Sequence, residues 1–144
     1  MKPLAHAVTS GAISIAVGLY FRSAACASVA FVAGTLIDID HLVDYYAHHP
    51  FTMRVQDIYN ACADNRMKQI FVPLHSYELA IALWLAIYAF SLSNIWKAMA
   101  IGVTQHILFD QFTNPLNRFA YFLTFRAAKR FENRLISRDM KEGV

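Results

Sequence analysis

The stretch Gly34-Thr35-Leu36-Ile37-Asp38-Ile39-Asp40-His41 places two carboxylates and an imidazole at the end of an apolar run that begins at Ala24. An ionised carboxylate in apolar surroundings is costly unless it is paired or binds a metal, and two carboxylates this close also repel each other. A bound cation accounts for the pattern most simply. The alternative is a helix C-terminus at which these side chains meet water.

Helical geometry groups these residues further. On a helix, Asp38 and His41 lie one turn apart on one face, while Asp40 and Asp44 lie on an adjacent face. Carboxylates and an imidazole in this arrangement suit one or two metal ions.

The composition is that of a small membrane protein. The chain has 144 residues, the length of one domain; 57% are hydrophobic and 16% charged, against about 25% charged in typical soluble domains. The net charge is +3, but no nucleic-acid motif accompanies the basic residues, so we expect membrane lipid as the acidic partner and no nucleic acid. The two cysteines, Cys26 and Cys62, form neither a CxxC motif nor a disulfide framework.

Four apolar runs predict four membrane-spanning helices, at about residues 5–21, 24–41, 76–92 and 96–113. The first run resembles a signal peptide, but the apolar character resumes directly after Arg22-Ser23, which favours two uncleaved helices joined by a turn. The predicted fold is all-α: one polytopic membrane-embedded domain, 1–144, with two helical hairpins, a cytoplasmic loop 42–75 and an interfacial amphipathic helix in the basic tail 116–144. Soluble core helices are the alternative.

If each run crosses the membrane once, eight metal-ligand side chains fall at one membrane face: His6, Asp38, Asp40, His41, His75, Glu78, His106 and Asp110. Random placement would scatter such groups over both faces, so the pattern predicts one shared site. Mixed imidazole and carboxylate ligands suit zinc first, then iron or manganese, and eight groups predict two divalent ions. Taken singly, His6 or His106 is typical of a buried core histidine, and Glu78 of a helix cap.

The positive charges predict the orientation. All but Arg22 and Lys97 of the 13 Lys and Arg residues lie on the side that carries these eight groups. The positive-inside tendency makes that side cytoplasmic. We therefore expect a multi-pass protein of the inner (plasma) membrane with both termini in the cytoplasm.

The ordered motifs resemble the YdjM-like inner-membrane metal-dependent hydrolases, a family also described as LexA-binding. The resemblance covers most of residues 5–115. It rests on Ala5-His6, Leu36 to His41 for the family's Pro-Asp-Ile-Asp-His, Leu74-His75-Ser76 for its Thr-His-Ser, and His106 to Asp110 with Thr113 for its His-(x)3-Asp-(x)2-Thr. The family's His-Arg-Gly ahead of Thr-His-Ser is missing, and Ile37 replaces its proline, which makes Glu78 a candidate replacement ligand. The resemblance implies hydrolase activity.

A two-metal site typically activates a water and clamps a phosphate ester, so we expect a phosphoesterase acting on a lipid or polyprenyl phosphate. Asp40 or Glu78 is expected to serve as bridging carboxylate or general base. Arg54, Arg118 and Arg126 are expected either to hold phosphate or to be plain interfacial charges.

Two other functions compete with hydrolysis. A small metal-ion transporter or sensor would use the same ligands without catalysis, although transporters usually bind near the bilayer midplane and these ligands gather at one face. A non-catalytic adaptor that binds through its basic tail would leave the buried carboxylates unexplained.

Overall fold

The apolar runs of the sequence form helices. The computed structural model describes residues 3–48, 54 and 69–137, and all regular secondary structure within these ranges is helical, which confirms the all-α prediction for them. The helices are α1 (Pro3–Phe21), α2 (Ala24–Leu36), α3 (Ile39–His48), α4 (Tyr77–Ala89), α5 (Asn94–Thr113), α6 (Leu123–Ala128) and α7 (Asn133–Ile136).

Helices α1 and α2 form a hairpin that turns at Arg22 and Ser23, as predicted. Arg22 has a φ of 51°, which allows the chain to reverse. The Ser23 hydroxyl then caps α2 by accepting a hydrogen bond from the Cys26 amide at 3.3 Å. The two helices pack closely after the turn, because a Cβ on Gly18 would lie only 2.8 Å from the Ala27 Cβ.

Helices α2 and α5 cross with their backbones in contact. A Cβ on Gly102 would clash with the Ala30 carbonyl and lie 3.1 Å from the Gly34 nitrogen. Such small residues let membrane helices approach closely. The crossing brings His106, one turn after Gly102, against the C-terminal end of α2.

Helices α4 and α5 form the second hairpin, close to the predicted bounds. Ser76 caps α4 by accepting a hydrogen bond from the Leu79 amide at 3.3 Å. The hairpin packs on α2 through a core that includes Ile37, Ala80 and Ile107. This places the start of α4 and the end of α5 beside the end of α2.

The predicted single helix 24–41 is wrong, since it is two helices. Helix α2 ends at Leu36 and α3 begins at Ile39, with a tight turn between them in which the His41 amide donates to the Asp38 carbonyl at 3.1 Å. Helix α3 continues to His48, so the predicted loop 42–75 begins later than expected. Apart from Arg54, residues 49–68 of this predicted loop lie outside the described residues.

The single amphipathic helix predicted in the basic tail is also wrong for residues 116–137. Two short helices, α6 and α7, are separated by Arg130 and Phe131, whose φ values of 52° and 58° no α-helix accommodates. This segment folds back on the chain: the Tyr77 amide donates to the Tyr121 carbonyl, and the Ile70 amide to the Phe131 carbonyl, both at 2.9 Å.

Two helical stretches are long and apolar enough to span a membrane, Leu4–Phe21 and Ala24–Ala47. Only 22% and 28% of their windows are buried inside the protein, so most of their apolar surface faces outwards. Helix α4 is apolar but shorter. Large apolar side chains are exposed along these helices and beyond them, among them Leu4, Ile15, Leu19, Val43, Leu85, Tyr88, Phe90 and Phe112.

Candidate metal centre

Six of the eight predicted ligands converge at one end of the helices. They come from four separate parts of the chain: α1, the α2–α3 junction with the first turn of α3, the loop before α4, and the second half of α5. The six residues are His6, Asp38, His41, His75, His106 and Asp110. The open ends of the two hairpins, which the sequence analysis places at one membrane face, thus lie together in the packed helices.

Four ligand atoms form the centre of this cluster: His75 Nε2, His106 Nε2, Asp38 Oδ1 and Asp110 Oδ2. The two nitrogens are 3.1 Å apart. Asp38 Oδ1 lies 3.2 and 3.4 Å from the His75 and His106 nitrogens, and Asp110 Oδ2 lies 3.6 and 3.7 Å from them. A tetrahedral zinc site with bonds of about 2.0–2.2 Å has ligand–ligand edges of about 3.3–3.6 Å. Five of the six separations among the four atoms, 3.1–3.7 Å, are thus close to the edges of such a tetrahedron.

The outer nitrogens of the two histidines fix which atoms face this centre. His106 Nδ1 lies 2.7 Å from the Gly34 carbonyl oxygen, which only accepts, so Nδ1 carries the hydrogen. His75 Nδ1 lies 3.1 Å from an Asp40 carboxylate oxygen, which likewise requires a donor. In the neutral rings both Nε2 atoms then present lone pairs. Four acceptors converge, as in carboxylate–histidine–zinc sites.

Electrostatics supports a cation at the centre. Burial alone would lower the pKa of His75, but the neighbouring carboxylates of Asp38, Asp40 and Asp110 raise it to about 9. The cluster thus attracts positive charge strongly enough to protonate a buried imidazole. A proton on His75 and a metal ion are therefore alternative occupants of the same position.

Asp110 and His6 extend the cluster on one side. Asp110 Oδ1, the oxygen that faces away from the four-atom centre, lies 3.0 Å from His6 Nε2. Beyond this contact with each other, neither atom has a hydrogen-bond partner among the described residues. The His6 ring stacks on His106 with centroids 4.4 Å apart. Both oxygens of Asp110 are therefore directed at possible ligand partners, which is the arrangement of a bridging carboxylate.

Exposure divides the cluster into a closed and an open side. The side chains of His6, His75, His106 and Asp110 are at most 4% exposed. Asp38 and His41 are 27% and 16% exposed. A substrate or an ion would reach the centre past these two residues.

The Gly34 carbonyl is a site component that the sequence analysis missed. Because α2 ends at Leu36, this carbonyl is one of the last four of the helix and has no partner within it. It accepts hydrogen bonds from His106 Nδ1 and, at 3.0 Å, from the Ser10 hydroxyl. Gln105 donates to the same hydroxyl at 2.8 Å. No signal in the sequence marked this carbonyl.

Asp40 was predicted to be a ligand and a base, but it lies on the outer side of His75. Its Oδ2 accepts hydrogen bonds from the Leu74 amide at 2.9 Å and from His75 Nδ1. The metal-facing nitrogen of His75 is Nε2, across the ring. The helix break after Leu36 separates Asp38 and Asp40, so only Asp38 points into the centre. Asp40 orients His75 instead.

The structure does not bring Glu78 to the cluster, which corrects its prediction as ligand or base. Its Oε2 accepts from the Leu123 amide at 2.9 Å, and its Oε1 accepts from the Thr124 amide and hydroxyl at 2.9 and 2.8 Å. Both oxygens thus satisfy unpaired amides at the N-terminus of α6. Glu78 is a capping residue for α6, whose start the sequence analysis did not predict.

The three predicted phosphate-binding arginines differ in burial and in their contacts. Arg54 and Arg118 are exposed, and Arg118 lies over the Phe119 ring, 5.6 Å from its centroid. Arg126 is buried, and its guanidinium donates to backbone carbonyls of the loop before α4. A phosphate role for Arg126 is therefore corrected, because both terminal nitrogens of its guanidinium donate to the backbone.

No protein-family model, curated protein or solved structure matches this chain.

Proposed function

We propose that the protein is a membrane-embedded metal-dependent hydrolase, a phosphoesterase that acts on a lipid or polyprenyl phosphate. One observation carries the proposal: four buried or half-buried acceptor atoms converge, with separations of 3.1–3.7 Å that suit ligands of one metal ion. Their outer partners, Asp40 and the Gly34 carbonyl, turn the imidazole lone pairs towards one point. Such a set is unfavourable without a cation.

The donor set favours zinc over other metals, with iron or manganese as alternatives. Imidazole nitrogens together with carboxylate oxygens are typical ligands of zinc, whereas manganese and iron more often take additional oxygen ligands. A cation held here would lower the pKa of a water and neutralise charge that develops on a phosphate ester.

The residues of the chain would divide the remaining tasks. Asp38 stands at the open side, where a substrate enters. His41 is the other exposed member, and its Nε2 lies 4.0 Å from Asp38 Oδ1. With Asp40 and Glu78 engaged elsewhere, we assign to His41 the role of accepting a proton from the attacking water.

A lipid substrate is supported by the surroundings of the site. An apolar groove of about 450 Å³ lies between α2, α4 and α5 and is lined by residues that include Leu36, Ile37, Leu74, Leu79, Met99 and Val103. Ile37 and Leu74 directly precede Asp38 and His75. The groove therefore ends beside the centre, where the headgroup of a lipid in the groove would lie.

The membrane arrangement is proposed from charge and apolarity together. Besides α1 and α2, helices α4 and α5 would complete four spans, with the basic side and both termini in the cytoplasm. Exposed side chains such as Ile15, Leu85 and Phe90 support burial in lipid, since soluble monomers rarely expose so much apolar surface. The YdjM-like resemblance supports the same assignment, because all six clustered residues occupy its motifs.

A metal-binding protein without catalysis, such as a small transporter, is the second candidate. It is favoured by the burial of the cluster, which leaves little room for a substrate: four of the six side chains are at most 4% exposed. The distinguishing property is turnover.

The test combines metal analysis with an activity panel. The detergent-purified protein should contain zinc and hydrolyse at least one of a set of phospholipids and polyprenyl phosphates. Asp38→Asn should lose most of both, while Glu132→Gln, a carboxylate change at the surface pair with Arg134, should lose neither. Zinc without hydrolysis of any substrate supports the second candidate. Failure of the wild type to bind zinc, iron or manganese would refute both.

A further inference from the structure

We propose that Arg126 is a positioning residue that holds the loop carrying His75 and thereby sets the affinity of the metal site. The inference rests on the proposed metal site and goes beyond it, because it makes the C-terminal segment 116–137 part of the site's support. The sequence analysis connected this segment to the site only through phosphate binding by Arg118 and Arg126, and not through support of the His75 loop.

Arg126 is placed at the loop by its own burial and hydrogen bonds. The residue is 2% exposed. Its Nη1 donates to the Phe71 and Val72 carbonyls at 2.8 and 2.9 Å, and its Nη2 donates to the His75 carbonyl at 2.9 Å. One guanidinium thus binds both ends of the loop, and one of its contacts is the backbone carbonyl of the proposed ligand His75.

The same loop is held from its other side by helix α3. The Phe71 amide donates to Asp44 at 3.0 Å, and the Leu74 amide donates to Asp40 at 2.9 Å. Val72 has a φ of 23°, a conformation that a β-branched residue adopts only when its surroundings impose it. The loop is therefore kept in place by its contacts rather than by its own preference.

The position of Arg126 depends in turn on the start of α4. Glu78, three residues after His75, caps α6 through the Leu123 and Thr124 amides, and Arg126 is in the second half of that short helix. The contacts form a closed circuit from His75 to Glu78, through α6 to Arg126, and back to the His75 carbonyl. A shift of α6 would therefore move His75.

Lysine should not replace arginine here. The three carbonyls are reached by two nitrogens of a planar fork, whereas lysine has one nitrogen on a flexible stem. Arg126→Lys keeps the charge but loses part of this contact. Loss of outer contacts that orient a metal-binding histidine typically costs about 10–100-fold in metal affinity, and we expect a loss in this range.

The test uses the full-length protein in detergent, with zinc affinity measured by competition with a chelator. Cobalt(II) in place of zinc reports coordination geometry through its visible spectrum. Arg126→Lys should weaken zinc binding by about 10–100-fold and alter the cobalt spectrum, which general destabilisation would not do. The matched control, Arg134→Lys, changes an arginine whose side chain is 72% exposed and should change neither.

A second variant and a second readout keep the proposal testable. If Arg126→Lys does not fold, Glu78→Gln loosens the α6 cap and should weaken zinc binding in the same direction. In metal-free protein, either variant should increase amide hydrogen exchange in residues 70–76 more than in α1. Folded variants with wild-type zinc affinity, cobalt spectrum and loop exchange would overturn the proposal. A wild type that binds no metal would instead refute the proposed function, and loop exchange would still test the role of Arg126.

Discussion

Replacement of Gly102 by alanine tests whether the helix crossing controls the metal site. The added Cβ would clash with the Ala30 carbonyl and lie 3.1 Å from the Gly34 nitrogen, whereas relaxed contacts need about 3.5–4.0 Å. Because these are backbone atoms, rotation of a side chain cannot relieve the overlap. Helices α2 and α5 must therefore separate by about 0.5 Å or more.

The size of the effect follows from the hydrogen bond between His106 Nδ1 and the Gly34 carbonyl. This bond is 2.7 Å long, and a separation of that size brings it to the limit of about 3.2 Å. Overpacking of this kind costs about 1–3 kcal/mol of stability, and a weakened outer contact about 10–100-fold in metal affinity. We expect Gly102→Ala to fold, to unfold at lower temperature and to bind zinc at least about tenfold more weakly.

The chain offers a matched control in Gly11→Ala on α1, where nothing lies within 4 Å of an added Cβ. This change should leave zinc affinity unchanged and stabilise the helix by about 0.4–1 kcal/mol. Chelator competition and thermal unfolding measure both properties in detergent. Wild-type zinc affinity in Gly102→Ala, or an equal loss in Gly11→Ala, would refute the link between crossing and site.

Three further predictions concern the outer contacts, the protonation of the site and the topology. Asp40→Asn removes the charge behind His75, so chelator competition should show a zinc affinity about 10–100-fold lower; unchanged affinity would contradict an orienting role. Because the pKa of His75 is raised from 6.5 to about 9, its contribution to the stability of metal-free protein should be complete below pH 6.5 and lost as the pH rises through 9. Thermal unfolding should show this loss, and zinc loading should abolish it. Reporter fusions at Ser93, in the turn before α5, and at the C-terminus should lie on opposite sides of the membrane, and the same side for both would exclude four spans.

The position of the site was predictable because it follows from periodicity and from helix ends. Asp38 and Asp110 each lie at the end of an apolar run. Two antiparallel hairpins therefore bring them to the same membrane face, and this can be predicted without knowing how the helices pack. The spacing of His106 and Asp110 by four residues places both on one face of α5. These arguments need only the helical period and the lengths of the runs.

The roles of individual carboxylates were not predictable in the same way. Asp38 lies in the break between α2 and α3, which no proline or glycine marks, and Asp40 lies in α3. As a result, the Asp38 carboxylate faces the centre while the Asp40 carboxylate lies behind His75. Glu78 was misassigned because its partner is the N-terminus of α6, a helix hidden in an aromatic and basic pattern. The reversal at Arg130 and Phe131 carried no signal, since neither residue type favours positive φ.

The number of bound ions follows from which ligand atoms are shared. The first ion would use His75 Nε2, His106 Nε2, Asp38 Oδ1 and Asp110 Oδ2. Among the residues that the structure describes, a second ion beside His6 would have only His6 Nε2 and Asp110 Oδ1 as unshared ligands, 3.0 Å apart, because His106 Nδ1 is engaged with Gly34. A second ion beside His41 would likewise share Asp38 and His75 with the first.

Binding of two ions should therefore be strongly unequal, since tight zinc sites have three or four protein ligands. We expect one tight equivalent and one much weaker equivalent in a zinc titration followed by calorimetry. His6→Ala or His41→Ala should remove only the weak equivalent, because neither side chain contributes to the four-atom centre, whereas His106→Ala should remove the tight one. Two equally tight equivalents in the wild type, or loss of the tight equivalent in His6→Ala, would show that the four atoms are not the primary site.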